Sequence, residues 1–265
     1  MPKETVLEKY RGKKGEEYHT KKHGVPENRY MWVARELARK TQPYVSRDDV
    51  VLDYGTGTGR NLAALVCREK IGYDIADSVR AIVDRHGIRF VDDLSLIDDC
   101  SIDVTICHHV LEHVPNPYET LEEISRKIRP AGKLLVFVPY EFERLYRNFN
   151  RNFNRNDTNM HLYSWNVQTL GALVESAGFE VKETRLAPYG CETFAARHAP
   201  LGEQSYRSLL GFLRILRPVL PLSSLEIRLI ARKPQSSKKV FRARESEEIK
   251  NYSVPAHLQT RSGVC

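Results

Sequence analysis

The stretch that most constrains the fold is a short apolar run, Val50–Leu52, that ends on Asp53 and breaks at once into the alternating glycines Gly55, Gly57 and Gly59. Such a run, with two β-branched residues, is typical of a buried strand. Glycines accept positive φ angles and let backbone N–H groups come close to a ligand. Because apolar residues resume at helical spacing after the glycines, the stretch predicts a strand, a tight ligand-facing turn and a helix.

The spacing of these glycines bears on the kind of ligand. A nicotinamide site has the pattern G-x-G-x-x-G, whereas here Gly59, the third glycine, comes one residue early. Asp53 also lies in the turn, where a carboxylate would repel phosphates but could hold an amino group. The spacing therefore disfavours a pyrophosphate ligand.

Strand and helix patterns alternate from this turn onward, which predicts a mostly parallel sheet covered on both faces. Further strands are predicted at 71–74, 88–91, 102–107, 133–138, 179–186 and 226–231. Helical spacing marks 26–40, 78–85, 118–128, 167–177 and 209–216.

The chain divides into three parts by pattern and composition. Residues 1–45 read as an N-terminal lid and helix, and 46–233 as the main α/β domain with insertions at 140–163 and 187–225. Residues 234–265 are polar and lack sustained periodicity, which predicts a mobile tail.

The first insertion contains a tandem R-N-F-N repeat. At helical spacing Arg147 and Arg151 form a column beside Phe149 and Phe153, which predicts an amphipathic lid helix. The two arginines are candidates for gripping an acceptor by charge-assisted hydrogen bonds and stacking, although such a column is also typical of a solvated helix face. Tyr18 and His19, in the N-terminal segment, are similar candidates for the lid.

Acidic residues follow the second and third predicted strands. Asp74 comes about 20 residues after the first strand, the position at which a carboxylate accepts hydrogen bonds from ribose hydroxyls. Asp92 or Asp93 could take an adenine amino group while Leu94 or Ile75 packs on the ring. Since parallel strands end at one edge of the sheet, we expect these residues to line one ligand site.

Five motifs together resemble the class I S-adenosylmethionine-dependent methyltransferases. They are V-L-D-Y-G-T-G-T-G at 51–59, G-Y-D-I at 72–75, I-D-V at 102–104, V-L-E-H-V-P at 110–115 and R-P-A-G-K-L at 129–134. The likeness spans roughly 49–233 and is greatest to the small-molecule branch that includes the ubiquinone-type O-methyltransferases. Thr56 stands where that family usually has Cys.

The resemblance implies a Rossmann-like doubly wound α/β fold with a seven-stranded sheet, six strands parallel and the last antiparallel, and helical lid insertions. It implies S-adenosylmethionine as cofactor and S-adenosylhomocysteine as its product. The residues expected around the cofactor are Asp53, Gly55, Gly57, Gly59 and His108 near the methionine part, Asp74 at the ribose, and Ile75, Asp92, Asp93 and Leu94 at the adenine.

Methyl transfer mainly requires the protein to position an acceptor and remove its proton. His113, after the fourth strand, and His161, directly after the lid insertion, are the candidate bases. His113 is equally compatible with a buried histidine that shapes its loop. Together with His109 and Glu112 the two histidines loosely resemble the metal-binding set of small-RNA 2′-O-methyltransferases, which has Glu in place of His109; we expect no metal.

Three functional hypotheses follow. The leading one is methyl transfer to an oxygen or nitrogen of a small polar metabolite or glycosyl acceptor, including anionic ones. The 41 basic and 34 acidic residues give a net charge of +7, which keeps an RNA acceptor as an alternative. The third is a non-catalytic binding protein that retains the fold.

Two features bear on location. The five cysteines form no C-x-x-C pair, which favours a reducing compartment over a disulfide framework. The N-terminus is too charged for a signal peptide, and no apolar run reaches the roughly 18 residues that a membrane span needs. The sequence therefore predicts a cytoplasmic protein without a membrane span.

Overall fold

The computed structural model describes residues 10–21, 24–141, 161–200, 202–216 and 224–235. Arg147 and Arg151, with the rest of the predicted lid helix, and nearly all of the predicted tail lie outside the described residues.

One sheet organises the molecule, and its seven strands run in the order β3-β2-β1-β4-β5-β7-β6. β7 is antiparallel to both of its neighbours, β5 and β6, while the pairings among β1 to β5 are parallel. The predicted fold, with six parallel strands and an antiparallel last strand, is confirmed. The strands are β1 (Val50–Tyr54), β2 (Glu69–Tyr73), β3 (Arg89–Val91), β4 (Ile102–His108), β5 (Ile128–Tyr140), β6 (Glu180–Tyr189) and β7 (Ser224–Arg232).

Helices of the described residues cover the sheet. They are α1 (Gly12–Lys21), α2 (Tyr30–Thr41), α3 (Arg60–Ala63), α4 (Arg80–Asp84), α5 (Pro117–Lys127), α6 (Val167–Ser176), α7 (Cys191–His198) and α8 (Gly202–Leu216). None of them is long and apolar enough to cross a membrane.

The core lies on both faces of the sheet, because successive strand residues point to opposite sides. Leu52 and Leu134 belong to one buried cluster, whereas their neighbours Val51 and Leu135 belong to the other. All four are fully buried, and each such side chain contributes about 1.5–3 kcal/mol relative to leaving it exposed. Apolar residues on both faces explain why the central strands read as continuous apolar runs.

The fifth strand begins earlier than the predicted 133–138, because the 129–132 segment is part of β5. Ile128 already pairs with Ile102, and the register then shifts so that Val104 pairs with Lys133. Ala131 takes a φ of +64° at this irregularity, and its N–H donates to the carbonyl of Lys233 at 2.9 Å. The chain therefore bulges within the strand, since neighbouring backbone groups satisfy the bulged residues.

The second predicted insertion contains more regular structure than its sequence suggested. β6 extends to Tyr189, and α7 and α8 pack with α2 around a separate buried cluster. Arg29 ties this subdomain to the segment before α2, donating to the carbonyls of Ala196 and Ala199 at 3.0 and 2.9 Å.

Candidate active site

The glycine turn is held against the end of β2. The backbone N–H groups of Gly55 and Thr56 both donate to the carbonyl of Tyr73, at 2.8 and 2.9 Å. Gly55 has a φ of +81°, and a Cβ there would lie 2.4 Å from Cγ2 of Val110. The turn therefore requires glycine at this position for both backbone and packing reasons.

Asp53 is buried directly below the turn. Its Oδ2 accepts a hydrogen bond from Oγ1 of Thr56 at 3.0 Å, and Gly72 makes room for Thr56, since a Cβ on Gly72 would lie 2.8 Å from Cγ2 of that threonine. Burial raises the pKa of Asp53 to about 7; the Thr56 hydroxyl opposes the shift and the charge of Asp74 adds to it. Thr56, the departure from the family pattern, thus contributes a hydroxyl that orients Asp53.

Asp74 joins the end of β2 to the glycine turn. Its Oδ2 accepts from the N–H of Gly57 at 2.7 Å, and its Oδ1 accepts from the N–H of Ala76 at 2.9 Å. Asp74 is buried, so these two bonds hold its carboxylate in a fixed orientation at the strand end.

The predicted adenine-side residues lie beyond β3. Asp92 and Asp93 are exposed: Asp92 pairs with Arg80 at 3.0 Å, and Oδ1 of Asp93 accepts from the N–H of Ser95 at 2.8 Å. Leu94 is buried, and Ile75 is partly buried. These residues follow β2 and β3, which are neighbours in the sheet.

The N-terminal helix covers the segment that follows Asp74. Oγ of Ser78 donates to the carbonyl of Gly12 at 2.6 Å, and a Cβ on Gly15 would lie 2.9 Å from Cβ of Ala76. Tyr18 and His19 belong to α1, but their side chains lie outside the described part of the structure. The backbone of α1 thus packs on the segment that follows Asp74, and its role as a lid stays a prediction.

His113 and His161, 48 residues apart, meet at the end of β4. Their ring centroids are 4.8 Å apart at an interplanar angle of 69°. The hydroxyl of Tyr10 contacts Nδ1 of His113 at 3.2 Å, and Nε2 of His113 lies 3.9 Å from Oε1 of Glu112. Glu112 is buried, which raises its carboxyl pKa. The structure therefore brings together both predicted base candidates.

Sequence reasoning missed a carboxylate beside His161. Nδ1 of His161 forms a hydrogen bond with Oε1 of Glu141, and Oε2 of Glu141 accepts from Oγ of Ser164 at 2.6 Å. Glu141 and His161 lie near the two ends of the predicted 140–163 insertion, so their spacing in the sequence carried no signal. Only the position of Glu141 at the carboxyl end of a strand could have suggested it.

A second pair of histidines lies on the other side of the β4 end. His108 and His109 stack with centroids 4.4 Å apart, and their Nε2 atoms lie 3.8 and 3.6 Å from Oε2 of Glu226. His108 and Glu226 share a cavity of about 30 Å³ with Asp53 and Lys40. Burial and the neighbouring His109 lower the pKa of His108 to about 3, so its imidazole is neutral at pH 7.

Among the described residues, two sets of possible metal-ligating side chains have their ligand atoms within 4.8 Å of one another: Glu112, His113 and His161, and His108, His109 and Glu226. His109 belongs to the second set and not, as the loose resemblance had it, to the first. Glu226 already faces Lys40 and Arg228, which disfavours a cation there. The absence of a metal remains a prediction.

Comparison with known proteins identifies relatives of this chain. A family model described as a methyltransferase domain matches residues 29–184. A protein of Mycolicibacterium smegmatis, named as a probable S-adenosylmethionine-dependent methyltransferase, is 32% identical over 168 residues, which are 61% of this chain and 63% of the relative. The match thus spans slightly less than two thirds of that relative's length.

Solved structures share the fold at low sequence identity. The [4+2]-cyclase SpnF has a TM-score of 0.54 and 20% identity, with 76% of this chain and 81% of the cyclase covered. An S-adenosylmethionine-dependent methyltransferase of Archaeoglobus fulgidus has a TM-score of 0.51 and 19% identity, with 75% of this chain and 92% of that protein covered. Proteins with this sheet architecture therefore catalyse more than one reaction, so the residues of the site, and not the fold, indicate the reaction.

Proposed function

The chain belongs to the methyltransferase domain family, and we propose that it is an enzyme that transfers a methyl group from S-adenosylmethionine to an oxygen or nitrogen atom of a small polar metabolite or glycosyl acceptor. The observation that carries the proposal is the pair of buried carboxylates, Asp53 and Asp74, fixed by the glycine turn at the carboxyl edge of the sheet. When bound, S-adenosylmethionine supplies an electrophilic methyl group.

The residues present suit such a ligand. Asp53 would hold its ammonium group, and Asp74 would accept hydrogen bonds from ribose hydroxyls through the lone pairs that its two backbone bonds leave over. Ile75 and Leu94, with Asp92 or Asp93, are the residues that we assign to the adenine. His108, which shares a cavity with Asp53, is assigned to the methionine part.

The acceptor would lie on the other side of β4, near His113 and His161. Two imidazoles in edge contact beside the end of a strand can accept a proton from a hydroxyl or an amine. We assign Tyr18, His19, Arg147 and Arg151 to the acceptor side as well, on the strength of the sequence pattern. The positive charges of the two arginines would favour an anionic acceptor.

Titration calorimetry with S-adenosylmethionine and S-adenosylhomocysteine tests the proposal. Asp74→Ala removes the acceptor for the N–H groups of Gly57 and Ala76, and we expect it to weaken binding by roughly 1–3 kcal/mol, which is about 5- to 150-fold. Asp84→Ala, on the exposed surface of α4, is the control and should bind normally. A wild-type protein that binds neither compound would refute the proposed function.

The affinity for S-adenosylhomocysteine should fall as the pH is lowered from about 7.5 to 5.5. Asp53 has a pKa of about 7 in the free protein, and an ammonium group favours its ionised form, so binding at lower pH must first release a proton. The expected slope approaches tenfold per pH unit below pH 7 and should disappear in Asp53→Asn. A slope that Asp53→Asn leaves unchanged would contradict this assignment.

The same shift sets the sign of a stability effect. The folded-state pKa of Asp53 is above its ordinary value of 3.8, so the folded protein binds this proton more tightly than the unfolded chain does. The contribution of Asp53 to stability therefore declines as the pH rises from about 4 to 7.

Because the [4+2]-cyclase shares the fold, the alternative to methyl transfer is that the chain does not transfer the methyl group at all. It would then be a binding protein or an enzyme of another class. Incubation with S-adenosylmethionine and a panel of hydroxylated and amino acceptors discriminates between the two. Acceptor-dependent release of S-adenosylhomocysteine supports methyl transfer, whereas tight binding without any release favours the alternative.

A further inference from the structure

We propose that Glu141 is a positioning residue that fixes His161 as the base for the acceptor proton. The inference rests on the proposed function, and it separates His161 from His113, the other candidate. It concerns a carboxylate at the end of β5 that the sequence did not single out.

Both oxygens of Glu141 are engaged. Oε1 is bonded to Nδ1 of His161, and Oε2 accepts from Oγ of Ser164 at 2.6 Å. The side chains of Glu141 and His161 are only 11% and 14% exposed, so solvent screens their interaction poorly. Burial alone would raise the pKa of Glu141, but the hydrogen bonds from His161 and Ser164 outweigh it and hold this pKa below its ordinary value. Glu141 is therefore an ionised carboxylate at neutral pH.

An ionised carboxylate can only accept hydrogen bonds. Nδ1 of His161 must therefore carry the proton, and in the neutral imidazole Nε2 then keeps its lone pair. The bond to Glu141 thus selects the tautomer in which Nε2 can act as a base. It also stabilises the imidazolium that forms when Nε2 takes a proton, because the carboxylate lies beside it.

The backbone around His161 is anchored as well. The N–H groups of Leu162 and Tyr163 donate to the carbonyl of Glu112 at 2.7 and 3.3 Å, and the hydroxyl of Tyr163 donates to the carbonyl of Pro115 at 2.8 Å. These bonds fasten the segment that carries His161 to the loop after β4. That loop touches the glycine turn through Val110, so the base and the donor side of the site are held by one structural unit.

His113 makes contacts of a different kind. Its Nδ1 contacts the hydroxyl of Tyr10, which can donate or accept, so this contact imposes no tautomer. Its Nε2 lies 3.9 Å from Oε1 of Glu112. His113 instead packs edge-on against His161 and limits the orientations of that ring.

The proton step is balanced by these groups alone. The O–H or N–H bond of the acceptor breaks as Nε2 of His161 gains the proton, and the electron pair stays on the acceptor atom that takes the methyl group. The imidazolium then returns the proton to solvent through Nε2, while Nδ1–H stays bonded to Glu141 throughout.

Nitrogen NMR of protein with ¹⁵N-labelled histidine tests the assignment without an acceptor. In the wild type at neutral pH we expect His161 in the Nδ1–H form, with a lone pair on Nε2, and His161→Ala identifies its signals. In Glu141→Gln the amide can donate as well as accept, so we expect a mixture in which the Nε2–H form appears. Ser164→Ala retains the carboxylate and should keep the wild-type tautomer, and Glu175→Gln, on the exposed face of α6, is the control.

An Nε2–H form in the wild type, or an unchanged tautomer in Glu141→Gln, would overturn the proposal. Zn²⁺ that binds the wild type and shifts the Nε2 signals of both His113 and His161 would overturn it too, because those lone pairs would then serve a metal. Once an acceptor is known, His161→Ala should lower kcat by about 10²–10⁴-fold, and Glu141→Gln by less, with the dissociation constant of S-adenosylhomocysteine unchanged. If the wild type does not bind S-adenosylmethionine, the proposed function is refuted, but the result on the tautomer of His161 still stands.

Discussion

Replacing Gly55 by alanine is expected to destabilise the folded protein by about 2–6 kcal/mol and to abolish binding of S-adenosylmethionine. Two costs combine, since the residue has a φ of +81° and its Cβ would lie 2.4 Å from Cγ2 of Val110. A non-glycine residue in such a conformation costs about 1–3 kcal/mol, and overpacking costs about as much again. The turn can relieve the clash only by moving away from the loop after β4, and that movement also disturbs the N–H groups of Gly55 and Thr56, which hold the turn on Tyr73.

Gly87→Ala is the matched control for this experiment. Gly87 has a similar φ of +68°, but a Cβ there would meet nothing within 4 Å, so its substitution isolates the backbone cost. We expect urea unfolding to show a loss of about 1–2 kcal/mol for Gly87→Ala, with normal binding of the donor by calorimetry. Equal losses in the two variants would show that contact with Val110 does not constrain the turn.

The sheet was predictable because its information is local. Short apolar stretches mark the central strands β1, β4 and β5, and the run at Val50–Leu52 followed by Gly55, Gly57 and Gly59 indicates where the first turn lies. The β5 bulge was not predictable, because Arg129–Gly132 has the composition of a turn. It is held in the sheet by Lys233, which is a hundred residues away in the sequence.

The donor side of the site could be predicted for the same reason. Asp53 lies near the end of one recognisable strand and Asp74 directly follows the next, and parallel strands bring their carboxyl ends to one edge. The acceptor side is different, because the residues that meet there are far apart in the sequence. Glu141 contacts His161 from the other end of the 140–163 insertion, and Glu226 approaches His108 from 118 residues away. Tertiary packing brings such partners together, so the spacing and periodicity of the sequence do not predict them.

The pKa values of the two buried acids that line the cavity depend on their partners. Asp53 and Glu226 both line it, yet burial raises the pKa of Asp53 to about 7, whereas the pKa of Glu226 is lowered to about 2. The difference lies in their partners. Burial would raise the pKa of Glu226 too, but His109, His108 and Lys40 outweigh it, whereas the hydroxyl of Thr56 alone opposes the shift of Asp53. A buried acid without a cation is what a site needs if the ligand itself brings the positive charge, as the ammonium group of S-adenosylmethionine would.

Glu226→Ala is accordingly expected to cost about 3–5 kcal/mol of stability, because it removes the acid that pairs with the buried guanidinium of Arg228. Oε1 of Glu226 accepts from Nε of Arg228 at 2.7 Å and lies 3.9 Å from Nζ of Lys40. Glu226 is 1% exposed, so water cannot replace it without opening the structure. Glu123→Ala, which breaks an exposed pair with Arg126, is the control and should cost at most about 1 kcal/mol in the same urea titration.

The pH dependence separates the charge of Glu226 from its shape. The folded-state pKa of Glu226 is about 2, below the ordinary value of 4.5, so the charge stabilises the fold fully above about pH 5 and loses this effect as the pH falls towards 2. The difference in free energy of unfolding between wild type and Glu226→Gln, which keeps the shape, should therefore be constant from pH 5 to 7 and shrink below pH 4. If that difference does not change between pH 5 and 3, the stabilisation comes from packing, and the paired charges at the β7 end of the cavity contribute little to it.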